Sequence, residues 1–230
     1  MKSKLYKLSL ITLVALSAIG IGIVVNASIK NYNIKISDVI VTNNENKINS
    51  DKNKKIKKKQ QITQKQEALE KMWKIGYDQF FKQQYKQAIA TERQVIKEDP
   101  NFYKAYSVEG IALAYSGNFD KGMEQINHAL KLKPNYGYGR FNKALANELF
   151  NHYDEAIKWY IKDLEVEKFE WSYYGIASIC GRRGDIKNTI KYLKLAININ
   201  PNVKNTAKTE KDFDNVRQSI EFNKLIVTVN

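Results

Sequence analysis

Cysteine occurs once in this chain, histidine twice and proline three times. With Cys180 alone no intrachain disulfide can form, and its place on an inward helix register reads as a small buried apolar residue rather than a nucleophile. His128 and His152 have no Cys or second His at ligand spacing, so no zinc-type site is expected and both read as surface residues. No glycine loop is spaced to cradle a phosphate, since Gly181-Arg182-Arg183-Gly184 falls in a turn between helices. The carboxylates Asp154 and Glu155 stand at a helix start, where the helix dipole favours them. These absences leave no constellation for an enzyme: no catalytic residue, metal or cofactor is expected.

The prolines are few but regularly placed. Pro100 and Pro134 lie 34 residues apart, and Pro201 closes the same series. The same step carries Gly76 to Gly110, Tyr85 to Phe119 and Tyr153, and Ala88 to Gly122 and Ala156. A last step of 33 takes Tyr153 to Ile186 and Asn151 to Gly184. A period of this size marks an array of helical hairpins. Each unit splits into two apolar-periodic segments, such as 69–82 and 86–97, joined by the polar turn Gln83-Gln84. Neither segment would hold a helix alone in water. Small residues at Gly76, Ala88, Gly110, Gly122, Ala129, Ala144 and Ala156 let paired helices approach, while Tyr85, Phe119 and Tyr153 fill the space beside them. Each hairpin then buries its remaining apolar stripe against its neighbour. The prolines fall just past the second helix of a unit, which they cannot continue. The third unit has Lys168 where a proline is expected, so its end between Glu167 and Glu170 is the least defined.

Ile75-Gly76, Gly117-Asn118-Phe119-Asp120, Tyr153-Asp154-Glu155-Ala156-Ile157, Ala129-Leu130 and Asp99-Pro100-Asn101, held in one register over four units, resemble the tetratricopeptide repeat family. The resemblance implies an all-α, right-handed superhelix with hairpins at 69–102, 103–136, 137–169 and 170–203, within an array spanning 67–203. Beyond it, 204–230 must cap the open end. Thr209 with Asp212 reads as a helix start. The run Asp212-Phe213-Asp214-Asn215-Val216-Arg217, followed by Phe222 and Leu225, is similar to a segment that closes some bacterial arrays. Phe213, Val216, Phe222 and Leu225 are expected to pack on the last helix of the fourth unit.

The family binds protein segments on the concave face through the first helix of each hairpin. Carried over by register, that face takes Glu70, Trp73, Tyr77 and Phe80 from the first unit and Lys104, Ser107, Ile111 and Ala114 from the second. From the third and fourth it takes Tyr138, Phe141, Leu145, Glu148, Trp171, Tyr174, Ser178 and Gly181. The partner-binding set selected from these is Trp73, Tyr77, Phe80, Lys104, Ser107, Ile111, Tyr138, Phe141, Trp171 and Tyr174. Aromatic anchors of this kind dominate interface energy when a partner buries them, although aromatics here also serve to pack neighbouring helices. Arrays that grip the C-terminal carboxylate of large heat-shock chaperones use Lys, Asn and Arg at places that hold Trp73, Tyr77, Val108, Tyr138 and Asn142. Chaperone-tail binding is therefore not expected.

The net charge of +14 is unevenly spread. Residues 1–68 hold 13 lysines against 4 acidic residues, while 69–230 hold 25 basic against 20 acidic. Lys2, Lys4 and Lys7 precede 22 uncharged residues, Leu8 to Ile29, rich in Leu, Ile and Val. At about 1.5 Å per residue such a helix reaches about 33 Å, enough for a hydrocarbon core of about 30 Å. Segment 1–29 thus reads as a membrane anchor, or as a signal peptide cleaved near Ala27 after Val25-Asn26-Ala27. Either sends the array across the membrane, tethered or secreted; the lysine bias, three before the run against Lys30 and Lys35 just after it, favours this only modestly and leaves a cytoplasmic array open. Residues 31–42 alternate weakly, as a strand would, but with no second strand in the chain to pair with the alternation carries little weight. The segment 30–66 is a polar linker in which Asn43 to Gln66 holds too few apolar residues to order. Its Lys52 to Lys59 cluster reads as a self-repelling spacer or as a contact for anionic lipid or envelope polymer. A nucleic-acid partner is not expected, because no aromatic is interleaved with these lysines. The sequence reading is a membrane-tethered interaction scaffold; the alternative is an exported binder of anionic envelope polymers or lipid.

Overall fold

A computed structural model describes residues 54–227 together with 26, 28, 30, 31, 33–38 and 52. The chain divides into two compact units, Met1–Lys65 and Gln66–Asn230. The anchor or signal segment 1–29 lies outside the described residues apart from positions 26 and 28. Among the described residues no helix is long and apolar enough to cross a membrane.

In the first unit the weak alternation of 31–42 does not become a strand among the described residues, and one expectation is corrected. The described residues from 30 to 38 are helical, not a strand, with the Ser37 hydroxyl donating to the Ile34 carbonyl at 2.7 Å. A lone strand leaves its backbone groups unpaired, whereas a helix satisfies them internally. Residues 54–65 are also helical and exposed rather than coil. Lysine and glutamine lose little side-chain freedom in a helix, so this polar segment meets no intrinsic obstacle to being helical.

The second unit is built from helical hairpins. Helix α1 covers 66–81, followed by α2 (Tyr85–Glu98), α3 (Tyr103–Tyr115), α4 (Phe119–Leu132) and α5 (Gly137–Leu149). Then come α6 (Tyr153–Leu164), α7 (Glu170–Arg182), α8 (Ile186–Ile199), α9 (Val203–Thr209) and α10 (Ile220–Val227), with a 3-10 turn at Lys211–Phe213. In each hairpin the second helix buries one stripe at spacings of four and three. The stripes are Ala88, Glu92 and Val95; Gly122, Ile126 and Ala129; Ala156, Tyr160 and Asp163; and Thr189, Leu193 and Ala196. Full burial of Ile126 or Leu193 stabilises the fold by about 1.5–3 kcal/mol each. The first helices α3 and α7, flanked on both sides, are buried almost all round.

The turn between the paired helices needs one residue in the left-handed region. Gln83, Gly117, Asn151 and Gly184 occupy it, at φ 58, 85, 62 and 72°. All four share one register. At the end of the third unit, where no proline stands, α6 stops earlier than its counterparts, at Leu164. The chain crosses 165–169 as a loop and Phe169, in extended conformation, caps α7.

Phe213, Val216 and Phe222 are buried against Tyr174, Ala177, Leu193 and Ala196, with Leu225 packed alongside. This is the expected capping contact, but it reaches α7 as well as α8. No helix starts at Thr209; α9 ends there.

Candidate partner-binding cleft

A cleft of about 540 Å³ opens on one side of the array. Tyr77, Phe80, Phe81, Gln83, Tyr85 and Tyr115 line it from the first two units. Tyr138, Phe141, Leu145, Phe169 and Trp171 line it from the last two. Nine of these eleven are aromatic and none is charged.

The rings are built on one another. Phe80 contacts Phe81 at 5.3 Å and Tyr115 at 5.4 Å between centroids, both edge-on, and Tyr85 lies 5.4 Å from Tyr115. On the opposite wall Tyr138 stacks on Phe141 at 6.1 Å, and Phe169 meets Phe141 edge-on at 5.0 Å. The walls join where Tyr77 of α1 meets Tyr138 of α5 at 5.7 Å. Burial pushes the phenol of Tyr138 far above its ordinary value, with Tyr77 adding to the effect. Lys74 binds Asp78, and Lys104 donates to Glu70 at 2.9 and 3.0 Å while lying over the ring of Trp73.

Of the residues carried over by register, Tyr77, Phe80, Tyr138, Phe141, Leu145 and Trp171 line the cleft. Ser107 and Ile111 are corrected: both are completely buried and offer no surface to a partner. Ile111 lies in the core cluster against which Tyr77 and Tyr138 pack, and the Asn142 amide donates to the Ser107 hydroxyl at 3.0 Å. Trp73 and Lys104 lie outside the lining, engaged with each other. Tyr174 is buried against Phe213 at 5.6 Å, so its ring serves the cap. Phe81, Gln83, Tyr85, Tyr115 and Phe169 were not selected. They lie at helix ends and turns, and the signal for Phe169 was the missing proline beside it.

Three further register positions, Glu148, Ser178 and Gly181, belong to a buried polar network that ties the array to its cap. Tyr160 donates to Glu148 at 2.6 Å, Ser178 reaches Glu148 at 3.0 Å and Asp212 at 2.5 Å, and Arg182 donates to Asp212 at 2.8 Å. Burial raises the Glu148 carboxyl above its usual range, opposed by Tyr160, Arg182 and Ser178. Gly181 permits the approach, since a Cβ there would lie 2.6 Å from the Asp212 carbonyl oxygen. His128 and His152 are exposed, and Cys180 is a free buried thiol that burial pushes up. Among the described residues no group of three or more His, Cys, Asp or Glu is placed to hold a metal.

The tetratricopeptide repeat family profile matches residues 172–203, which is α7, α8 and their turn. An uncharacterized protein of Methanocaldococcus jannaschii is 38% identical over 72 residues, spanning 30% of this chain and 84% of its own length. The chain belongs to the tetratricopeptide repeat family. Among solved structures, that of Naa15/Naa10 bound to HypK-THB superposes with a TM-score of 0.52 at 16% identity, covering 58% of this chain and 20% of that one. The crystal structure of MamA superposes with a TM-score of 0.49 at 20% identity, covering 61% of this chain and 81% of that one. At these identities the first superposition speaks to the repeat fold alone, and the second is too loose to add to it.

Proposed function

We propose that this tetratricopeptide protein is an interaction scaffold whose uncharged aromatic cleft holds an apolar segment of a protein partner. The observation that carries the reading is the concentration of nine aromatic rings, with no charged group, around one open cleft. Rings of this kind bury a large area at little entropic cost and are the anchors on which protein interfaces depend. The sequence adds a location. The uncharged run Leu8 to Ile29 tethers the array to a membrane with the repeats outside the cytoplasm, or is removed near Ala27 to release them.

A second reading assigns the binding role to the lysines. Lys54, Lys55, Lys57, Lys58 and Lys59 are all exposed on a helical segment, a display of one sign that suits anionic lipid or envelope polymer. Tyr77→Ala with Phe141→Ala separates the two. Capture of protein partners from envelope extracts by the full chain is lost in this variant under the cleft reading. It survives under the second reading, which instead loses polymer or vesicle binding on deletion of residues 52–59.

A further inference from the structure

The third unit departs from the second at one contact between hairpins. In the second, Glu109 of α3 is buried and accepts from Arg93 of α2 at 2.7 Å, an acid matched to a base. One step of 34 residues along the chain, the same two places hold Lys143 and Asn127. The Lys143 ammonium donates to the Asn127 side-chain oxygen at 2.6 Å, a partner that brings no charge.

A second cation joins it. The Lys143 ammonium lies 3.8 Å and the Lys162 ammonium 4.1 Å from the centroid of the Trp159 ring on α6. The ring attracts each ammonium without neutralising either, and it keeps the two within about 8 Å of each other. Among the described residues neither forms an ion pair with a carboxylate. Lys158, close by, is paired with Glu155 at 3.2 Å. Burial and the charge of Lys162 push the Lys143 ammonium below its ordinary value, with Lys158 adding to the effect and Glu155 opposing it. Lys143, Lys158, Lys162 and Glu155 together carry a charge of +2. Like charges gathered where water is partly excluded destabilise the fold, and a bound anion offsets that cost.

The class of anion follows from the charge and the donors. An ammonium presents donors only, so the ligand must accept from both and bring two negative charges. A carboxylate brings one. A phosphate monoester brings about 1.5 to 2 at neutral pH on three acceptor oxygens, and it bridges ammoniums at this separation with hydrogen bonds of about 2.7–2.9 Å on each side. We propose that Lys143 and Lys162, held on Trp159, form a binding site for one phosphate monoester group. None of the three lines the aromatic cleft, so the site is independent of the reading given to the cleft.

The test labels the full chain with 5-fluorotryptophan, which gives one fluorine resonance each for Trp73, Trp159 and Trp171, with Trp159→Phe assigning the middle one. Glycerol 3-phosphate is titrated against sodium chloride of equal ionic strength. The Trp159 resonance shifts and saturates with the phosphate and stays in place with chloride, while the other two do not move. Lys143→Met and Lys162→Met each weaken binding about tenfold or more, the measure of a hydrogen bond to a charged group. Lys191→Met, which removes an ammonium lying 4.8 Å from the Tyr192 ring on α8, leaves it unchanged. Without phosphate Lys143→Met melts at the same or a higher temperature than the parent, because it removes repulsion. A lower melting temperature makes Lys143 a structural prop for Trp159 and overturns the proposal. An equal shift with chloride, or an equal loss in Lys191→Met, reduces the effect to diffuse surface charge and overturns it too. Vesicles of phosphatidylcholine with and without phosphatidic acid identify the source of the group: a Trp159 shift that needs phosphatidic acid and exceeds that with glycerol 3-phosphate places it on a lipid head, the reverse order on a soluble compound, and both sustain the site. No response to either overturns it.

Discussion

A Cβ on Gly110 would stand 2.7 Å from the carbonyl oxygen of Gly122, and a Cβ on Gly122 would stand 2.7 Å from the carbonyl oxygen of Gly110. The two helices of the second unit therefore touch backbone to backbone. At the same register the first unit pairs Gly76 with Ala88, the third Ala144 with Ala156, and the fourth Ala177 with Thr189.

Because the obstacles at Gly110 include the main chain of Gly122 and Ile126 as well as the fully buried Ile126 side chain, Gly110→Ala forces the helices apart. The expected loss is about 2–3 kcal/mol, as for overpacked cores, seen as a lower urea midpoint. Gly117→Ala tests the other use of glycine. Nothing crowds its Cβ, but φ is 85°, so the cost is the backbone strain alone, about 1 kcal/mol.

Ala156 is completely buried between paired helices. Ala156→Asp places a charge there without a partner and costs several kcal/mol. A melting temperature equal to the parent's would show that α5 and α6 do not pack as described.

Glu92 lies where the other units have Ile126, Tyr160 and Leu193, completely buried and with neither carboxyl oxygen hydrogen-bonded. Desolvation, with the charge of Glu109 added, pushes it up to about 9 from 4.5. The folded form holds a proton that the unfolded chain releases near 4.5, so the stability of the protonated state is full below that value. It is lost progressively as the pH rises through about 9. Glu92→Gln, neutral throughout, flattens the stability curve over this window and raises stability at pH 8 by about 2 kcal/mol. Denaturation at pH 5 and pH 8 checks the sign: a parent more stable at pH 8 than the variant refutes it.

Arg182 and Asp212 join α7 to the cap, and Ser178 and Glu148 extend the contact inward. Asp212→Ala leaves the partly buried guanidinium without its main partner and costs about 2 kcal/mol. The change appears as faster proteolysis within 204–227, ahead of cleavage in α2 to α6. Uniform proteolysis along the array would mean that the cap and the repeats open together.

Much of this was legible in the sequence because repetition is a property of the chain alone. The 34-residue step places Gly110 opposite Gly122 and ends helices at Pro100 and Pro134 without reference to any contact. The buried charges were legible in principle too, since Glu92 and Asp163 break stripes that are apolar or small in other units. The cleft was only half legible. Register identifies which residues of a first helix face the concave side, which selects Tyr77 and Phe141, but it treats every unit alike. Whether a facing residue is open or covered depends on the size of its neighbours one and two units away. Ile111 lies in the core cluster against which Tyr77 and Tyr138 pack, and the meeting of those two side chains, 61 positions apart, exists only in the folded array. The same holds for Gln83, whose left-handed turn follows from the repeat, while its place on the rim of the cleft was decided by how the hairpins stack.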